Sequence, residues 1–274
     1  MIAGVDEPRF RPDLFAGTAA YYDRFRLPYP DVLLDSVRVR VPITGQGRLL
    51  DLACGTGQIA FALAADFVEV WAVDQEAEAI DFAAAKAERL GARHVHCLTA
   101  RAEDLALEPP FELVAIGNAF HRLQRSVVAE VAMSLLRPGG GLALLWSSTP
   151  WQGEQPWQQV MWDTLERWRR TADAMDRIPP GWDDAIAADP HEAVLTRAGF
   201  SYAGSAEFTV PHTWTTDELV GWVYSTSFLN KSALGPHAAA FDHDLRTQLL
   251  TCAPHGSFPA DVRFAYDLAT RPDR

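Results

Sequence analysis

The hydrophobic positions in the first half of the chain alternate between short apolar runs and longer helical patterns. The apolar runs, each bounded by polar residues or glycine, predict buried strands at 49–53, 68–73, 94–98, 112–117 and 142–146. Segments with helical spacing lie between them at 58–65, 77–90 and 124–136. Strands that alternate with helices pair in parallel through right-handed crossovers. The pattern therefore predicts an α/β fold with a doubly wound sheet over residues 48–147.

The second half of the chain has a different pattern. Residues 150–199 look mostly helical, because Trp157, Met161 and Leu165 recur on one face of a helix. Two later apolar stretches, 200–210 and 262–270, predict strands that return to the sheet. The whole chain is thus expected to form a Rossmann-like, seven-stranded, mostly parallel sheet with a helical lid insert. We predict an N-terminal helical cap, a Rossmann-like core, the lid, and C-terminal strands and helices that complete the sheet, at 1–45, 46–149, 150–199 and 200–274.

Composition and charge narrow the function classes. The 274 residues carry a net charge of −12, which argues against a large nucleic-acid-binding face, because phosphate binding needs a basic patch. The apolar run at 142–146 is far shorter than the ~20 residues that cross a bilayer. The acidic N-terminus predicts no secretory signal. Cys54, Cys97 and Cys252 form no CxxC pair and are typical of free thiols in a reducing cytoplasm.

A glycine turn follows the first predicted strand. Gly55 and Gly57 allow a tight turn that a ligand can approach closely, at the strand ends where doubly wound sheets bind ligands. Asp74 ends the second strand, where its carboxylate suits a ribose diol. Ala60 at the third position of a GxGxxG pattern leaves a nicotinamide enzyme open. Asp51, just before the turn, would instead repel a pyrophosphate and attract a cationic amine or sulfonium.

These residues carry a resemblance to a known family. Residues 50–57 resemble motif I of the class I S-adenosylmethionine-dependent methyltransferases, in the small-molecule, methyltransferase type 11-like subgroup, and Asp74 matches the ribose-binding acid of that family. Residues 102–105 resemble the stretch that contacts adenine, and 136–140 resemble the turn before strand five. The four motifs stand in the family's order over residues 45–147. The resemblance implies S-adenosyl-L-methionine as cofactor and S-adenosyl-L-homocysteine as product.

The resemblance also implies which residues bind the cofactor. Asp51 and the glycine turn would hold its amino-acid end, and Asp74 would hold the ribose. The full set of residues implied as cofactor-binding is Tyr21, Arg26, Asp51, Ala53, Gly55, Gly57, Asp74, Gln75, Ala102, Glu103 and Asn118.

An aromatic and basic segment precedes motif I. Its order of tyrosines, then Arg26, then Tyr29 and Pro30 resembles a segment of the same subgroup. By that resemblance Arg26 would pair with the methionine carboxylate of the cofactor, and the tyrosines would cover its methyl end. The alternative is an amphipathic helix packed on the sheet, with Arg26 on its surface.

The stretch after the fourth strand is the candidate catalytic region. Residues 119–121 resemble the Ala-x-His-Trp motif of the subgroup, but Arg122 replaces the usual aromatic residue and puts the substrate class in doubt. A histidine that is neutral near pH 7 is a suitable base for a hydroxyl nucleophile. His121 is therefore the candidate general base. A contact without proton transfer and a purely structural role stay open for it.

Most tryptophans lie in the second half of the chain. They could form an aromatic lid over an apolar acceptor, or pack in the core or in a dimer contact. The candidate substrate contacts are Tyr22, Trp146, Trp151, Trp182 and Trp222. No metal site is predicted, because His94, His96 and Cys97 would not share a strand face.

The sequence thus predicts a cytoplasmic enzyme that transfers a methyl group to a hydroxyl oxygen of a metabolite or natural product. Methylation of nitrogen, carbon or a carboxylate of a small molecule stays open, as does a cofactor-binding protein without transfer activity. The expected partner is the small-molecule substrate, with no nucleic acid and no membrane. The chain is expected to be a monomer or a homodimer.

Overall fold

Seven strands form one sheet in the computed structural model, which describes residues 10, 11 and 13–273. The strands are β1 (Arg48–Leu52), β2 (Glu69–Asp74), β3 (Val95–Thr99), β4 (Phe111–Gly117), β5 (Leu136–Ser147), β6 (Ser201–Thr215) and β7 (Ser257–Thr270). Their order across the sheet is β3-β2-β1-β4-β5-β7-β6. The first five pair in parallel, whereas β7 is antiparallel to both of its neighbours. This topology confirms the predicted Rossmann-like fold class.

Helices cover both faces of this sheet. They are α1 (Ala19–Phe25), α2 (Asp31–Arg40), α3 (Gln58–Leu63), α4 (Ala77–Leu90), α5 (Arg125–Leu135), α6 (Pro156–Thr171), α7 (Trp182–Ala188), α8 (His191–Arg197), α9 (Thr216–Tyr224), α10 (Lys231–Leu234) and α11 (Ala238–Cys252). Successive strand residues point to opposite faces, so Leu49 packs in one apolar layer and Leu50 in the other. The first layer includes α2, α3, α6, α9 and α11, and the second includes α5 and α8. No helix among the described residues is long and apolar enough to cross a membrane.

Three strands, β5, β6 and β7, extend well beyond their predicted bounds. The predicted turn at 136–140 is the irregular start of β5, where the register against β4 shifts and Gly139 has a φ of +71°. The edge strand β6 extends to Thr215 because its antiparallel register with β7 continues from Ser201 to Thr215. Its outer residues alternate between exposed and partly buried positions, so an apolar run could not reveal its end.

The helical segment after β5 packs into the core. On α6, Met161 and Leu165 are fully buried, and this helix packs against α11. The predicted apolar stripe therefore exists, but it faces a neighbouring helix instead of an open crevice. Large apolar side chains stabilise the fold when a helix partner permanently removes their surface from water, which a transient ligand does not do.

The chain before α2 folds across the carboxyl edge of the sheet. The Leu14 carbonyl accepts hydrogen bonds from Arg177 Nη2 (3.0 Å) and Asn230 Nδ2 (2.8 Å). The Gly17 N–H donates to Glu78 Oε2 (2.8 Å), and α1 packs against α9. These contacts tie the segment to three distant parts of the fold. The first nine residues of the predicted cap lie outside the described residues.

Candidate functional site

A cavity of about 530 Å³ opens where β1, β2 and β4 end. The chain leaves β1 towards β2 on one side and later adds β4 on the other, so the strand order reverses between β1 and β4. Such a reversal leaves a crevice at the carboxyl ends of the strands, and open α/β sheets bind their ligands there. The cavity walls come from the glycine turn, the ends of β2 and β4, and the described residues between Phe10 and Tyr22.

The backbone at the two adjacent strand ends takes left-handed conformations. Gly55 and Gly57 have φ values of +55° and +80°, and a Cβ on Gly57 would lie 2.7 Å from the Phe61 ring. Ala53 and Asn118 have φ values of +52° and +51° although they carry side chains, and both line the cavity. Such conformations cost of order 1–3 kcal/mol each and cluster at functional sites.

Asp74 lies in the cavity wall at the end of β2. Its Oδ2 accepts the Gly55 N–H (2.8 Å), and its Oδ1 accepts the Glu76 N–H (2.9 Å). Burial raises the pKa of Asp74, and the backbone donors oppose that rise. Each oxygen keeps a further lone pair, so the carboxylate can still accept two hydroxyl groups. The arrangement fits a ribose diol.

The same end of the cavity contains other predicted cofactor residues. Gln75, Ala102 and Glu103 all line the wall, and the Glu103 carboxylate also accepts the Gln124 N–H (3.1 Å). Glu76 and Glu78 line this end too, which makes it strongly acidic. The structure therefore brings together the residues that the resemblance implied for ribose and adenine.

Asp51 lies beneath the glycine turn instead of in the cavity wall. It is 1% exposed, and its Oδ2 accepts the Ala60 N–H (2.9 Å). Its Oδ1 has no partner among the described residues, and neither does the buried Thr56 Oγ1, which belongs to the cavity wall. Burial, with a smaller contribution from Asp74, raises the pKa of Asp51 to about 8. Two unsatisfied oxygens next to the turn fit a ligand that brings a cationic hydrogen-bond donor.

Asn118 stabilises the sheet edge. Its Nδ2 donates to the Tyr29 hydroxyl (3.0 Å) and to Ser147 Oγ (3.4 Å), and its Oδ1 accepts the Ser147 N–H (3.0 Å). The amide therefore joins the ends of β4 and β5 to the segment before α2. The Asn118 side chain is thus bonded within the protein, although the residue lines the cavity.

The N-terminal tyrosines lie on different sides of α1. The Tyr22 ring is in the cavity wall, 3.9 Å from where a Cβ of Gly55 would lie. Tyr21 instead packs on Phe25 and Tyr224, outside the cavity. Tyr21, the predicted cofactor contact, therefore lies outside the cavity. Tyr22, the predicted substrate contact, is the tyrosine next to the glycine turn.

Arg26 is partly buried at the end of α1. Its guanidinium lies 3.6 Å from the centre of the Trp222 ring and 4.9 Å from that of Tyr22, and its Nε donates to Ser225 Oγ (2.7 Å). Burial lowers its pKa. The alternative of a surface arginine is wrong, because aromatic rings hold the guanidinium. Arg26 is also not part of the cavity wall, so its pairing with a methionine carboxylate stays a prediction.

His121 does not belong to the cavity wall. Its Nε2 accepts a hydrogen bond from Arg122 Nε (3.2 Å), and its ring packs on Trp182. Burial, and then the positive charge of Arg122, lowers the pKa of His121 to about 3. The imidazole is therefore neutral at physiological pH, but its lone pair already accepts a proton donor.

Arg122 is the cavity residue of this turn. Its Nη1 donates to Ser227 Oγ (2.8 Å), and the guanidinium lies 4.8 Å from the centre of the Phe10 ring and 5.3 Å from that of Phe15. Burial lowers its pKa to about 10, so the side chain is still cationic at neutral pH. Sequence reasoning treated Arg122 only as a departure from a motif.

The four predicted substrate tryptophans lie outside the cavity wall. Trp151 packs at 4.9 Å on Trp222, within the apolar layer on one face of the sheet. Trp182 Nε1 donates to the His121 carbonyl (3.1 Å), and Trp146 packs in the layer on the other face. Trp146, Trp151 and Trp222 thus pack on the apolar layers of the sheet, whereas Trp182 is partly buried against Phe10 and His121, and none of the four lines the cavity as a lid would.

The cover of the cavity comes from the N-terminal segment, within the region 1–45 where a cap over the cofactor is predicted. Phe10, Leu14, Phe15 and Thr18 line the cavity, although this part of the chain reads as polar and loop-like. A usable signal was the pair of phenylalanines, which a solvated loop has no reason to carry. Thr56 was missed inside a recognised motif, because the motif drew attention to its glycines.

Comparison with known proteins agrees with this geometry. Residues 49–140 match a family model described as a methyltransferase domain. An uncharacterized methyltransferase of Mycobacterium tuberculosis is 29% identical over 135 residues, which are 49% of this chain and 52% of that protein. Residues 49–140 therefore form a methyltransferase domain. The family prediction made from residues 50–57 and the later motifs is thereby confirmed.

Two further matches show how much of the chain is similar to known methyltransferases and that the fold is shared. A ubiquinone biosynthesis O-methyltransferase of Xylella fastidiosa is 33% identical over 113 residues, which are 40% of this chain and 46% of that protein. The structure of a putative type II methyltransferase from Anaeromyxobacter dehalogenans shares the fold, with 20% identity and a TM-score of 0.56 over 91% of this chain and 98% of that chain. The chain spans about half the length of the curated relatives it matches.

Proposed function

We propose that the protein binds S-adenosylmethionine in this cavity and transfers its methyl group to an oxygen of a small molecule. The observation that carries the proposal is the Asp74 carboxylate, which is bound to the Gly55 N–H in the cavity wall within the methyltransferase domain. A lone acid at a strand end is often only a helix cap. Here the carboxylate, the left-handed turn and the unsatisfied Thr56 hydroxyl line one crevice.

The chain's own residues divide the work of binding. Asp74 accepts the ribose hydroxyls, Ala102 and Glu103 flank the adenine, and Thr56 and Asp51 meet the amino-acid end. Tyr22 and the N-terminal segment exclude water from the cavity. When bound, S-adenosylmethionine supplies an electrophilic methyl group. The residues after β4 align the acceptor oxygen with that methyl group, since alignment is the main demand of a displacement at carbon.

The proton of the acceptor separates two versions of this function. A hydroxyl acceptor must lose a proton, and His121 is the candidate base. An effective base has a pKa near the working pH, whereas that of His121 is lowered to about 3 and its Nε2 accepts the Arg122 N–H. This observation favours, as a second candidate, a carboxylate acceptor that has no proton to lose. His121 then positions Arg122.

Calorimetric titration with S-adenosylmethionine and S-adenosylhomocysteine tests the function. We expect micromolar binding of both, and at least tenfold weaker binding by Asp74→Asn, because a buried diol would lose its charged acceptor. Asp81→Asn is the matched control, since Asp81 is exposed on α4. No binding by the wild-type protein, or unchanged affinity in Asp74→Asn, would remove the proposal. A cytoplasmic location, the oligomeric state and the absence of a nucleic-acid partner stay predictions.

A further inference from the structure

We propose that Arg122 binds an anionic group of the methyl acceptor, so that the substrate class is a carboxylate-bearing small molecule. This inference rests on the proposed function, because it concerns the acceptor end of the same cavity. It is carried by the hydrogen bonds of Arg122, by the charges around it and by its place in the cavity.

The guanidinium of Arg122 has N–H donors that no described residue accepts. Its Nε is held by His121 and its Nη1 by Ser227, and Nη2 donates to no atom of the described residues. An arginine carries five N–H donors in a planar fork that matches a carboxylate. The two contacts therefore fix the plane of the guanidinium and leave one edge of it for a ligand.

The surroundings of Arg122 contain no compensating charge. Within the part of the chain that the structure describes, Arg122 forms no ion pair. Its neighbours are the rings of Phe10 and Phe15, and the charged group with the largest effect on its pKa is a second cation, Arg26. A partly buried charge without a partner is costly, and an opposite charge relieves that cost. An anionic ligand group would supply it.

The position of Arg122 indicates which ligand brings the anion. Asp74 and Glu103 form the ribose and adenine end of the cavity, whereas Arg122 follows β4 with Gly117, Asn118 and Ala119. The cavity thus has an acidic end and a cationic end. A carboxylate could come from the acceptor or from the methionine part of the cofactor. We assign it to the acceptor, because Arg122 follows β4, whereas another arginine, Arg26, adjoins the glycine turn through its backbone carbonyl, which accepts Gln58 Nε2 (3.2 Å).

The test compares acids with their neutral amides. Benzoate, phenylacetate, benzamide and phenylacetamide are titrated into the protein with and without saturating S-adenosylhomocysteine. We expect at least one acid to bind tenfold or more tightly than its amide. Arg122→Met should abolish that preference, and Arg122→Lys should retain part of it. Arg101→Met is the matched control, because Arg101 lines the opposite end of the cavity and already faces Glu103 and Asp104.

The outcomes are distinguishable. If neither acid binds more tightly than its amide to wild-type protein, or if a folded Arg122→Met keeps the preference, the inference is wrong. The comparison of acids with amides in wild-type protein still tests the inference if a variant does not fold. If Arg122→Met weakens the binding of S-adenosylhomocysteine tenfold but leaves the binding of 5′-methylthioadenosine unchanged, Arg122 holds the cofactor carboxylate. The acceptor assignment then fails. If wild-type protein binds no S-adenosylhomocysteine, the proposed function fails, while the acid titration without it still decides the anion site.

Discussion

The two ends of the cavity hold opposite charges by different means. At the acidic end, backbone N–H groups of the turn and of the start of α4 hold the Asp74 carboxylate. At the cationic end, side chains from distant segments hold Arg122, among them Phe10 and Ser227. The acidic end is therefore built by one local strand-turn-helix unit, whereas the cationic end exists only once the chain has folded. The following experiments probe this contrast, from the largest expected effect to the smallest.

The affinity for S-adenosylhomocysteine should rise with pH. Asp51 has a pKa of about 8 in the free protein, so it is protonated at pH 6, and a bound ammonium group favours its ionised form. Binding must then release a proton, and linkage predicts roughly 50-fold tighter binding at pH 8 than at pH 6. Titrations across this range check it. Asp51→Asn should show a flat profile, and a flat wild-type profile would contradict the charge assigned to the acidic end.

The same raised pKa affects the stability of the free protein. An unfolded Asp51 has the ordinary value of 3.8, so the folded chain binds more protons between that value and about 8. Stability from this group is fully present below 3.8 and is lost as the pH rises through about 8. Thermal unfolding at pH 5 and pH 8 should show this decline, and Asp51→Asn should reduce it. An equal decline in stability in the wild-type protein and in Asp51→Asn would mean that other groups cause it.

A side chain at Gly57 should damage the acidic end. Gly57→Ala places a Cβ 2.7 Å from the Phe61 ring at a φ of +80°. We expect a loss of about 1–3 kcal/mol in the free energy of unfolding, with weaker cofactor binding. Gly91→Ala is the control, because it has a φ of +64° but open space around it, away from the cavity. Urea unfolding checks both. Equal losses would show that backbone strain alone matters and that the close approach to Phe61 does not.

The cover of the cavity should loosen without its buried anchor. Asn230→Ala removes one of the two donors to the Leu14 carbonyl. We expect a loss of about 2 kcal/mol in stability, because the change removes both this hydrogen bond and the Asn230 side-chain cap on the Ala233 N–H, while Arg177 remains. Faster hydrogen exchange of residues 13–18 is the more specific readout. Unchanged exchange there would mean that the anchor does not hold the segment.

His121 should contribute little as a base. His121→Ala leaves Arg122 Nε without its acceptor, so benzoate affinity should fall about three- to tenfold, the equivalent of one hydrogen bond. His243→Ala, at an exposed position of α11, is the control. Once an acceptor is known, the pH profile of turnover should show no inflection near 6.5, because the pKa of His121 is about 3. An inflection there would restore the general base.

The cofactor half of the site could be predicted, because its residues are near one another in sequence. Gly55, Gly57 and Asp74 belong to neighbouring strand ends, and the turn geometry that joins them needs only local residue types. The tryptophans could not be placed in the same way. A large apolar ring such as Trp151 satisfies a core and a ligand pocket equally well, and only the packing of α6 and α9 shows that it is in the core.

By itself the sequence determined the order of the strands and helices, the strained turn and the acids beside it. Each depends on hydrophobic periodicity or on backbone conformation within a few residues. Tertiary structure alone decided which side chains cover the cavity and which charge lies at its far end. Leu14 and Arg177 are 163 residues apart when they bond, and Arg122 and Ser227 are 105 apart. Contacts of this range follow from how the layers pack, and no local pattern encodes them.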